Sequence, residues 1–111
     1  MITSQHNAIT IIILAAGAST RMGQPKQLIK LNGYSLLEHA VLTAKNSKAD
    51  QVIVVLGSES EKSMGAIEHL PVEIVVNDQW NEGMGSSLKK GLTACEEKFP
   101  ETRATLIMVC D

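Results

Sequence analysis

The sequence is poor in the features that define several large classes of protein. Aromatic residues make up 3% of the chain, cysteines number two, and the longest unbroken apolar run, Ile11 to Ala16, has six residues. A membrane-spanning helix needs about 20 apolar residues. The run also lacks the basic flank and cleavage site of a secretory signal. We therefore expect a cytoplasmic protein that has no membrane partner.

The sequence also lacks an excess of charge of one sign. Ten lysine and arginine residues stand against twelve aspartate and glutamate residues, a formal net charge of −2. No basic run or stripe is present, which excludes nucleic acid and anionic membrane surfaces as main partners. Cys95 and Cys110 lie in apolar settings without C-x-x-C spacing. We expect both to be reduced and buried rather than bound in a disulfide or a zinc site.

The apolar runs that are present indicate a sheet. The chain has 111 residues, 44% of them apolar and 20% charged, as in a single globular domain. Nearly continuous runs of isoleucine, valine and leucine are typical of parallel strands that are buried on both faces. Four such runs predict strands at Ile9–Ala16, Gln51–Leu56, Val72–Asn77 and Ala104–Cys110.

Helical patterns separate these strands. A capping box, Ser35-x-x-Glu38, opens a predicted helix over Ser35–Lys45, and a similar pattern opens a weaker helix from Ser58 toward Leu70. The clearest helix is expected over Ser86–Phe99, where Gly91 would allow a strand to approach closely. The apolar stripe of this helix consists of Leu88, Leu92, Cys95 and Phe99.

The alternation predicts an α/β fold, an open, mostly parallel Rossmann-like sheet with helices on both faces. Ligands bind such sheets beyond the carboxyl ends of the strands. Because no helix follows the fourth strand, we expect residues 1–111 to be the N-terminal part of one longer domain.

A glycine-rich segment follows the first strand. Gly17 allows the backbone to approach a ligand closely, and successive N–H groups in such a turn bind anions. Arg21 and Lys26 add two positive charges, which indicates a triphosphate site. Neither the Walker A pattern nor G-x-G-x-x-G is present. The segment also fits an ordinary turn with a solvated arginine and lysine.

Two further segments follow strands. Asn77 to Ser87 joins the third strand to the clearest helix, whose N-terminus favours an anion, although simple capping by Ser86 or Ser87 explains the serines equally well. Trp80 in this segment fits packing on the loop and stacking on a ligand. Asp111 ends the fourth strand, where one carboxylate can hold Mg²⁺ against phosphates or serve as a turn former.

Taken together, these segments resemble a known family. Ile13 to Gly23, followed by Pro25-Lys26, is similar to the signature of nucleotidyltransferases that act on phosphorylated small molecules, which have the nucleotide-diphospho-sugar transferase type of fold. Asn77 to Gly91 resembles the molybdenum-cofactor branch, the MobA-like NTP transferases. Met108 to Asp111 is similar to the start of that branch's third motif.

The resemblance implies a role for each matching residue. The nucleoside would be held by Leu14, Ala15, Ala16 and Gly17, the triphosphate by Arg21 and Lys26, which are also the catalytic cations, and Mg²⁺ by Asp111. Further nucleotide contacts would come from Asp78, Gly85 and Ser86. A terminal phosphate of molybdopterin would attack the α-phosphate of an NTP and release pyrophosphate. Molybdenum enzymes that receive the cofactor are candidate partners.

The resemblance favours CTP as the nucleotide. Ala15-Ala16-Gly17 is similar to the cytidylyltransferase version of the motif, whereas guanylyltransferases usually carry a second glycine at the position of Ala16. GTP-dependent transfer, another cytidylyltransferase and a non-catalytic nucleotide-binding or docking module remain the alternatives. Family members continue well past the aspartate, so we expect these 111 residues alone to bind nucleotide with weak turnover or none.

Overall fold

The computed structural model describes residues 8–17, 20–21 and 24–110. Within them, four strands form the main sheet: β1 (Ile9–Ala15), β2 (Gln51–Leu56), β3 (Glu73–Val76) and β4 (Ala104–Val109). Three α-helices alternate with these strands: α1 (Leu36–Lys45), α2 (Ser60–Ile67) and α3 (Met84–Lys98).

Smaller elements fill the long connection between β1 and α1. Thr20–Arg21 pairs antiparallel with Gln24–Pro25, and Lys30–Leu31 pairs with Tyr34–Ser35. A 3₁₀ turn, Lys26–Leu28, lies between the two pairs, and a second one, Trp80–Glu82, precedes α3. These elements were not predicted from the sequence, since strands of two residues are too short to show a period.

The main sheet is parallel throughout and has the strand order β3-β2-β1-β4. The chain steps outward from β1 to β3 and then returns to place β4 on the other side of β1. Right-handed crossovers in opposite directions put helices on opposite faces of a sheet. The predicted fold class is therefore confirmed, and the order reverses between β1 and β4, where ligands bind in open α/β sheets.

Alternate residues of β1 and β2 face opposite sides of the sheet. Ile11 and Ile13 belong to the cluster that packs against α1 and α2, whereas Ile12 and Leu14 belong to the cluster under α3. Both faces of these central strands are buried, as their continuous apolar sequence predicts. The core thus lies on both sides of β1 and β2.

The contact between α3 and the sheet depends on small residues. A Cβ atom on Gly91 would lie 2.7 Å from Cγ2 of Ile12 and 3.1 Å from Cγ2 of Val55, which confirms the predicted close approach. The predicted apolar stripe is partly wrong, because Leu92 is 40% exposed. The buried face of α3 consists instead of Ser87, Gly91, Ala94 and Cys95, since only small side chains fit at this separation.

Helix starts show one confirmed cap and two wrong ones. In α1, Ser35 caps as predicted: its hydroxyl accepts a hydrogen bond from the Glu38 N–H at 3.0 Å, and its N–H donates to Oε1 of Glu38 at 2.8 Å. Ser58 does not cap α2, which starts after Glu59 in a left-handed conformation (φ 52°). Neither Ser86 nor Ser87 caps α3, whose N-cap is Gly83 with φ 109°.

The ends of the predicted strands and helices also need correction. The second helix ends at Ile67 rather than near Leu70, and the third begins two residues before Ser86, because a helix needs no side-chain cap to start at glycine. Four residues of the predicted strands lie just outside the observed ones: Ala16, Val72, Asn77 and Cys110. Cys110 is half-buried rather than buried.

β4 is more exposed than its nearly continuous apolar sequence predicts. Leu106, Ile107 and Val109 are 55%, 43% and 52% exposed, and β4 is an edge strand of the main sheet among the described residues. The described part of the chain contains no helix long and apolar enough to cross a membrane.

Candidate nucleotide site

A cavity of about 430 Å³ opens beyond the carboxyl ends of β1 and β4, where the strand order reverses. The carboxyl end of every strand points the same way in a parallel sheet, so residues far apart in the sequence meet here. The lining residues are Leu14, Ala16 and Gly17 at the end of β1 and just after it, Lys26 and Gln27 in the 3₁₀ turn, Trp80, Asn81, Gly83, Met84 and Ser87 around the start of α3, and Val109 and Cys110 at the end of β4.

Three separate elements hold the end of β1 in place. The carbonyl of Leu14 accepts a hydrogen bond from the N–H of Cys110 at 3.0 Å, and that of Ala16 accepts one from the N–H of Ser58 at 3.2 Å. The intervening carbonyl of Ala15 accepts a hydrogen bond from Nε2 of Gln27 at 3.4 Å. The floor of the cavity therefore consists of three consecutive carbonyls, two of them held by backbone N–H groups and the middle one by the side chain of Gln27.

Asn77 organises the opposite wall. This side chain is 3% exposed, and its Oδ1 accepts a hydrogen bond from the N–H of Gln79 at 3.0 Å. Because an N–H only donates, the carboxamide orientation is fixed, and its nitrogen must face the other way. Nδ2 donates to the hydroxyls of Ser86 and Ser87, both at 2.9 Å, and so ties the end of β3 to the first turn of α3.

This hydrogen-bond network determines which further hydrogen bonds the hydroxyls of Ser86 and Ser87 can make. Ser86 donates in turn to the carbonyls of Gln79 and Gly83, at 3.0 and 2.9 Å, which closes the loop before α3. Ser87 is 3% exposed, lines the cavity and accepts from Asn77. A hydroxyl that accepts one hydrogen bond still has a proton to donate, so Ser87 offers the cavity a donor.

Trp80 packs on the loop, as one of its two interpretations predicts, and it also lines the cavity, where stacking on a ligand stays a prediction. A Cβ atom on Gly57 would lie 2.5 Å from Cβ of Trp80 and 2.7 Å from the carbonyl oxygen of Ala16. Distances this short leave no room for a side chain, so glycine is required at position 57. The close contact brings the loops that follow β1, β2 and β3 together.

The structure gathers some of the expected site residues and not others. Leu14, Ala16, Gly17 and Lys26 line the cavity, Ala15 lies behind it with a buried side chain, and Ser86 joins the network of Asn77. Asp78 and Gly85 are exposed and do not line it, since the Asn77–Gln79 hydrogen bond turns the chain outward at Asp78. The side chain of Arg21 and the whole of Asp111 lie outside the described residues.

Several lining residues were missed as individual site residues. Ser87 carried a signal, because it shares a helix face with Gly91 and Ala94, and a serine on a buried face needs a polar partner. Gln27 showed little sign in the sequence of belonging to the site, since a polar residue in a loop is normally solvated. In the structure its side chain is 4% exposed. Cys110 was predicted only as an apolar strand residue.

The cavity is suited to an anion. Among the described lining residues Lys26 is the one charged side chain, and no carboxylate lines the walls. The described residues also hold no group of three histidine, cysteine, aspartate or glutamate side chains placed to bind a metal. A cation and hydrogen-bond donors in a partly closed cavity can bind and stabilise phosphate charge.

Comparison with known proteins agrees with this geometry. Residues 11–111 match the model of the MobA-like NTP transferase domain. Over 91 residues the chain is 37% identical to nicotine blue oxidoreductase of Paenarthrobacter nicotinovorans, an alignment that covers 81% of this chain and 45% of that protein. The chain thus spans about half the length of that relative.

Solved structures show the same half-length match. Rv0371c from Mycobacterium tuberculosis H37Rv has a TM-score of 0.79 and 30% identity, over 95% of this chain and 52% of that one. A nucleotidyl transferase from Methanothermobacter thermautotroptrophicus has a TM-score of 0.80 and 26% identity, over 96% and 51%. The fold is therefore that of nucleotidyltransferases, and the chain belongs to the MobA-like NTP transferase domain family.

Two further similar structures involve a metal ion or a nucleotide. One is a manganese complex of Rv0371c, with a TM-score of 0.75 and 27% identity over 95% of this chain and 51% of that one. The other is the CTP:phosphocholine cytidylyltransferase LicC from Streptococcus pneumoniae, with a TM-score of 0.71 and 25% identity over 94% and 45%. A divalent metal and a cytidine nucleotide therefore occur among proteins of similar fold.

Proposed function

We propose that the protein binds an NTP in the cavity between β1 and β4 and takes part in nucleotidyl transfer to a phosphorylated small molecule. The observation that carries the proposal is the meeting of Lys26, the backbone after β1 and the first turn of α3 around one cavity at the reversal of strand order. Membership of the MobA-like family supports it. Residues 1–111 would be the nucleotide-binding part of one domain.

The proposed roles follow the family resemblance, and the cavity lining supports those of Leu14, Ala16, Gly17 and Lys26. Leu14 to Gly17 bind the nucleoside, while Arg21 and Lys26 neutralise the triphosphate. Asp78, Gly85 and Ser86 belong to the segment that carries Trp80 and Gly83, and Ser86 holds that segment through its hydrogen bonds. Asp111 directly follows Cys110, which lines the cavity, and would hold Mg²⁺.

The reaction requires little covalent chemistry from the protein. A phosphate oxygen of the acceptor forms a bond to the α-phosphorus, the bond from that phosphorus to the β-phosphate oxygen breaks, and pyrophosphate leaves. Catalysis then rests on positioning and on stabilising negative charge. When bound, Mg²⁺ would supply further charge stabilisation, and Asp111 would hold it, since Mg²⁺ typically takes one or two carboxylates plus phosphate oxygens.

We further propose CTP as the nucleotide and molybdopterin as the acceptor. Ala16 supports the cytidylyl assignment through the resemblance, and the similar fold of LicC supports it independently. GTP and other phosphorylated acceptors are the alternatives within this class. The relative named nicotine blue oxidoreductase favours a second candidate function, that of a protein with this fold that does not catalyse nucleotidyl transfer.

Calorimetric titration of the purified protein with CTP and with GTP, each with Mg²⁺, tests the proposal. We expect CTP to bind more tightly and Lys26→Glu to weaken binding at least about tenfold, because charge reversal beside phosphates costs more than about 1.4 kcal/mol. Lys48→Glu, in the exposed turn after α1, is the matched control and should change affinity by less than about twofold.

The other outcomes are equally informative. Tighter binding of GTP would overturn the assignment of CTP and leave the class intact. A protein that binds neither nucleotide would contradict the proposed function and favour the second candidate. Pyrophosphate release that depends on an added phosphorylated acceptor would distinguish transfer from binding alone.

A further inference from the structure

Gln27 is a buried polar residue next to the cation of the site. It follows Lys26 in the same 3₁₀ turn, is 4% exposed and lines the cavity. Burying a carboxamide is unfavourable unless it finds hydrogen-bond partners. The hydrogen-bond partners of Gln27 therefore indicate which parts of the structure its buried side chain holds together.

The partners of Gln27 lie on two other elements. Nε2 lies 3.4 Å from the carbonyl oxygen of Ala15 at the end of β1 and 3.4 Å from the hydroxyl of Ser63, a residue of α2 that is fully buried. A backbone carbonyl only accepts hydrogen bonds, so the amide nitrogen must face Ala15. The two N–H groups of one carboxamide thus link the 3₁₀ turn to β1 and to α2.

We infer that Gln27 is a positioning residue that holds Lys26 at the cavity, with Ser63 as its support from α2. The inference rests on the proposed function, since it assigns Lys26 to nucleotide phosphates. The turn has no side-chain cap at Pro25, and the N–H of Ile29 closes its end with a 3.2 Å hydrogen bond to the carbonyl of Lys26. Gln27 adds the attachment that fixes the turn relative to the floor of the cavity.

This role predicts a selective loss of phosphate binding. Gln27→Met keeps a similar length and removes both donated hydrogen bonds, so the turn can shift while the interior stays filled. We expect CTP affinity to fall about fivefold to tenfold, because a cation that is displaced by about an ångström loses much of its contact with phosphate. Affinity for cytidine, which has no phosphate, should change by less than about twofold.

A double-mutant cycle tests whether Gln27 acts through Lys26. In the background of Lys26→Ala, Gln27→Met should change CTP affinity by less than about twofold, since the group that it positions is gone. Calorimetry on the four proteins provides the measurement. Gln51→Met is the matched control, because Gln51 is exposed at the start of β2 and distant from the cavity lining, and it should bind as the wild type does.

Ser63→Ala provides an independent variant if Gln27→Met does not fold. It removes one of the two acceptors and should weaken CTP binding about twofold to fourfold without affecting cytidine. The inference would be overturned by wild-type CTP affinity in both variants or by equal losses of affinity for CTP and cytidine. It would also be overturned if Gln27→Met lowered CTP affinity in the Lys26→Ala background as much as it does in the wild type. A wild-type protein that binds no nucleotide contradicts the proposed function instead, so the two failures are distinguishable.

Discussion

β1 and β4 are neighbouring strands with similar apolar sequences and opposite surroundings. β1 lies between two strands and under helices on both faces, and Ile11 to Ala16 are all at most 5% exposed. β4 pairs with β1 on one side, and several of its apolar side chains are about half exposed. An apolar run therefore predicts a strand reliably, whereas the degree of burial depends on which elements pack on that strand.

The sharpest version of this comparison uses two isoleucines that are partners in register, Ile12 and Ile107. Ile12 is fully buried and Ile107 is 43% exposed. Ile12→Ala should lower the free energy of unfolding by about 2–5 kcal/mol, through lost burial and the cavity that remains. Ile107→Ala should cost less than about 1 kcal/mol.

Urea unfolding of both variants, monitored by far-UV circular dichroism, provides the measurement. Equal losses would break the comparison, because they would mean that another surface covers β4 in solution. A difference of several kilocalories per mole would show that the burial seen here describes the protein in solution.

Two glycines extend the comparison to the helices. Gly91 faces the interior strands, and an added Cβ atom would contact Ile12 and Val55, whereas nothing lies within 4 Å of the corresponding position at Gly65 in α2. Gly91→Ala should destabilise the protein by about 1–3 kcal/mol through overpacking. Gly65→Ala should stabilise it by about 0.5–1 kcal/mol, because alanine favours the helix.

Thermal unfolding of the two variants should therefore shift in opposite directions. A Gly91→Ala protein as stable as the wild type would show that α3 can move away from the sheet, and the close contact would then be no constraint. The same substitution at both sites ensures that intrinsic helix propensity cancels from the comparison.

A smaller loss than at Gly91 is expected at the capping box of α1, a polar contact at the edge of the core. Ser35→Ala should cost about 0.5–2 kcal/mol at neutral pH. The backbone N–H of Ser35 lowers the pKa of the Glu38 carboxyl, against the opposing effect of its partial burial. Because the folded-state pKa is below the unfolded one, this stabilisation is present above the unfolded pKa and is lost as pH falls through the folded pKa.

Urea unfolding at pH 7 and near pH 3 should show this loss in the wild type and a smaller one in Glu38→Gln, which keeps an acceptor and does not titrate. Glu97→Gln, at an exposed position of α3, is the control and should follow the wild type. An identical pH dependence in Glu38→Gln and the wild type would show that the carboxylate contributes nothing through its charge.

Local sequence patterns were sufficient for most of the fold. The continuous runs that became β1 and β2 and the capping box at Ser35 were predicted correctly because each depends on neighbours in the sequence. The exposure of the apolar side chains of β4 was not predicted, and the caps predicted at Ser58 and Ser86 were wrong. Both features depend on tertiary packing. Gly83 and Glu59 are the N-cap residues of α3 and α2 and have positive φ angles, which no side-chain pattern in the sequence predicts.

The site was predictable in its location and less so in its residues. Gly17 and Lys26 follow a strand in a recognisable pattern, and the structure brings both to the cavity. Asn77 and Gln27 act through hydrogen bonds to residues 9 to 36 positions away, so no local pattern marks them. Asp78 is exposed because the hydrogen bond that the N–H of Gln79 donates to Oδ1 of Asn77 sets the direction of the turn.

The reversed strand order has a consequence for the way the cavity forms. Its walls come from residues near positions 14, 26, 80 and 110, and the last of these lies at the end of β4, the strand that follows β1 to β3 in the sequence yet docks beside β1. A nascent or partly unfolded chain without docked β4 lacks one wall. Any ligand that needs all four walls therefore binds the completed fold alone, and by linkage it stabilises the docking of β4 most directly.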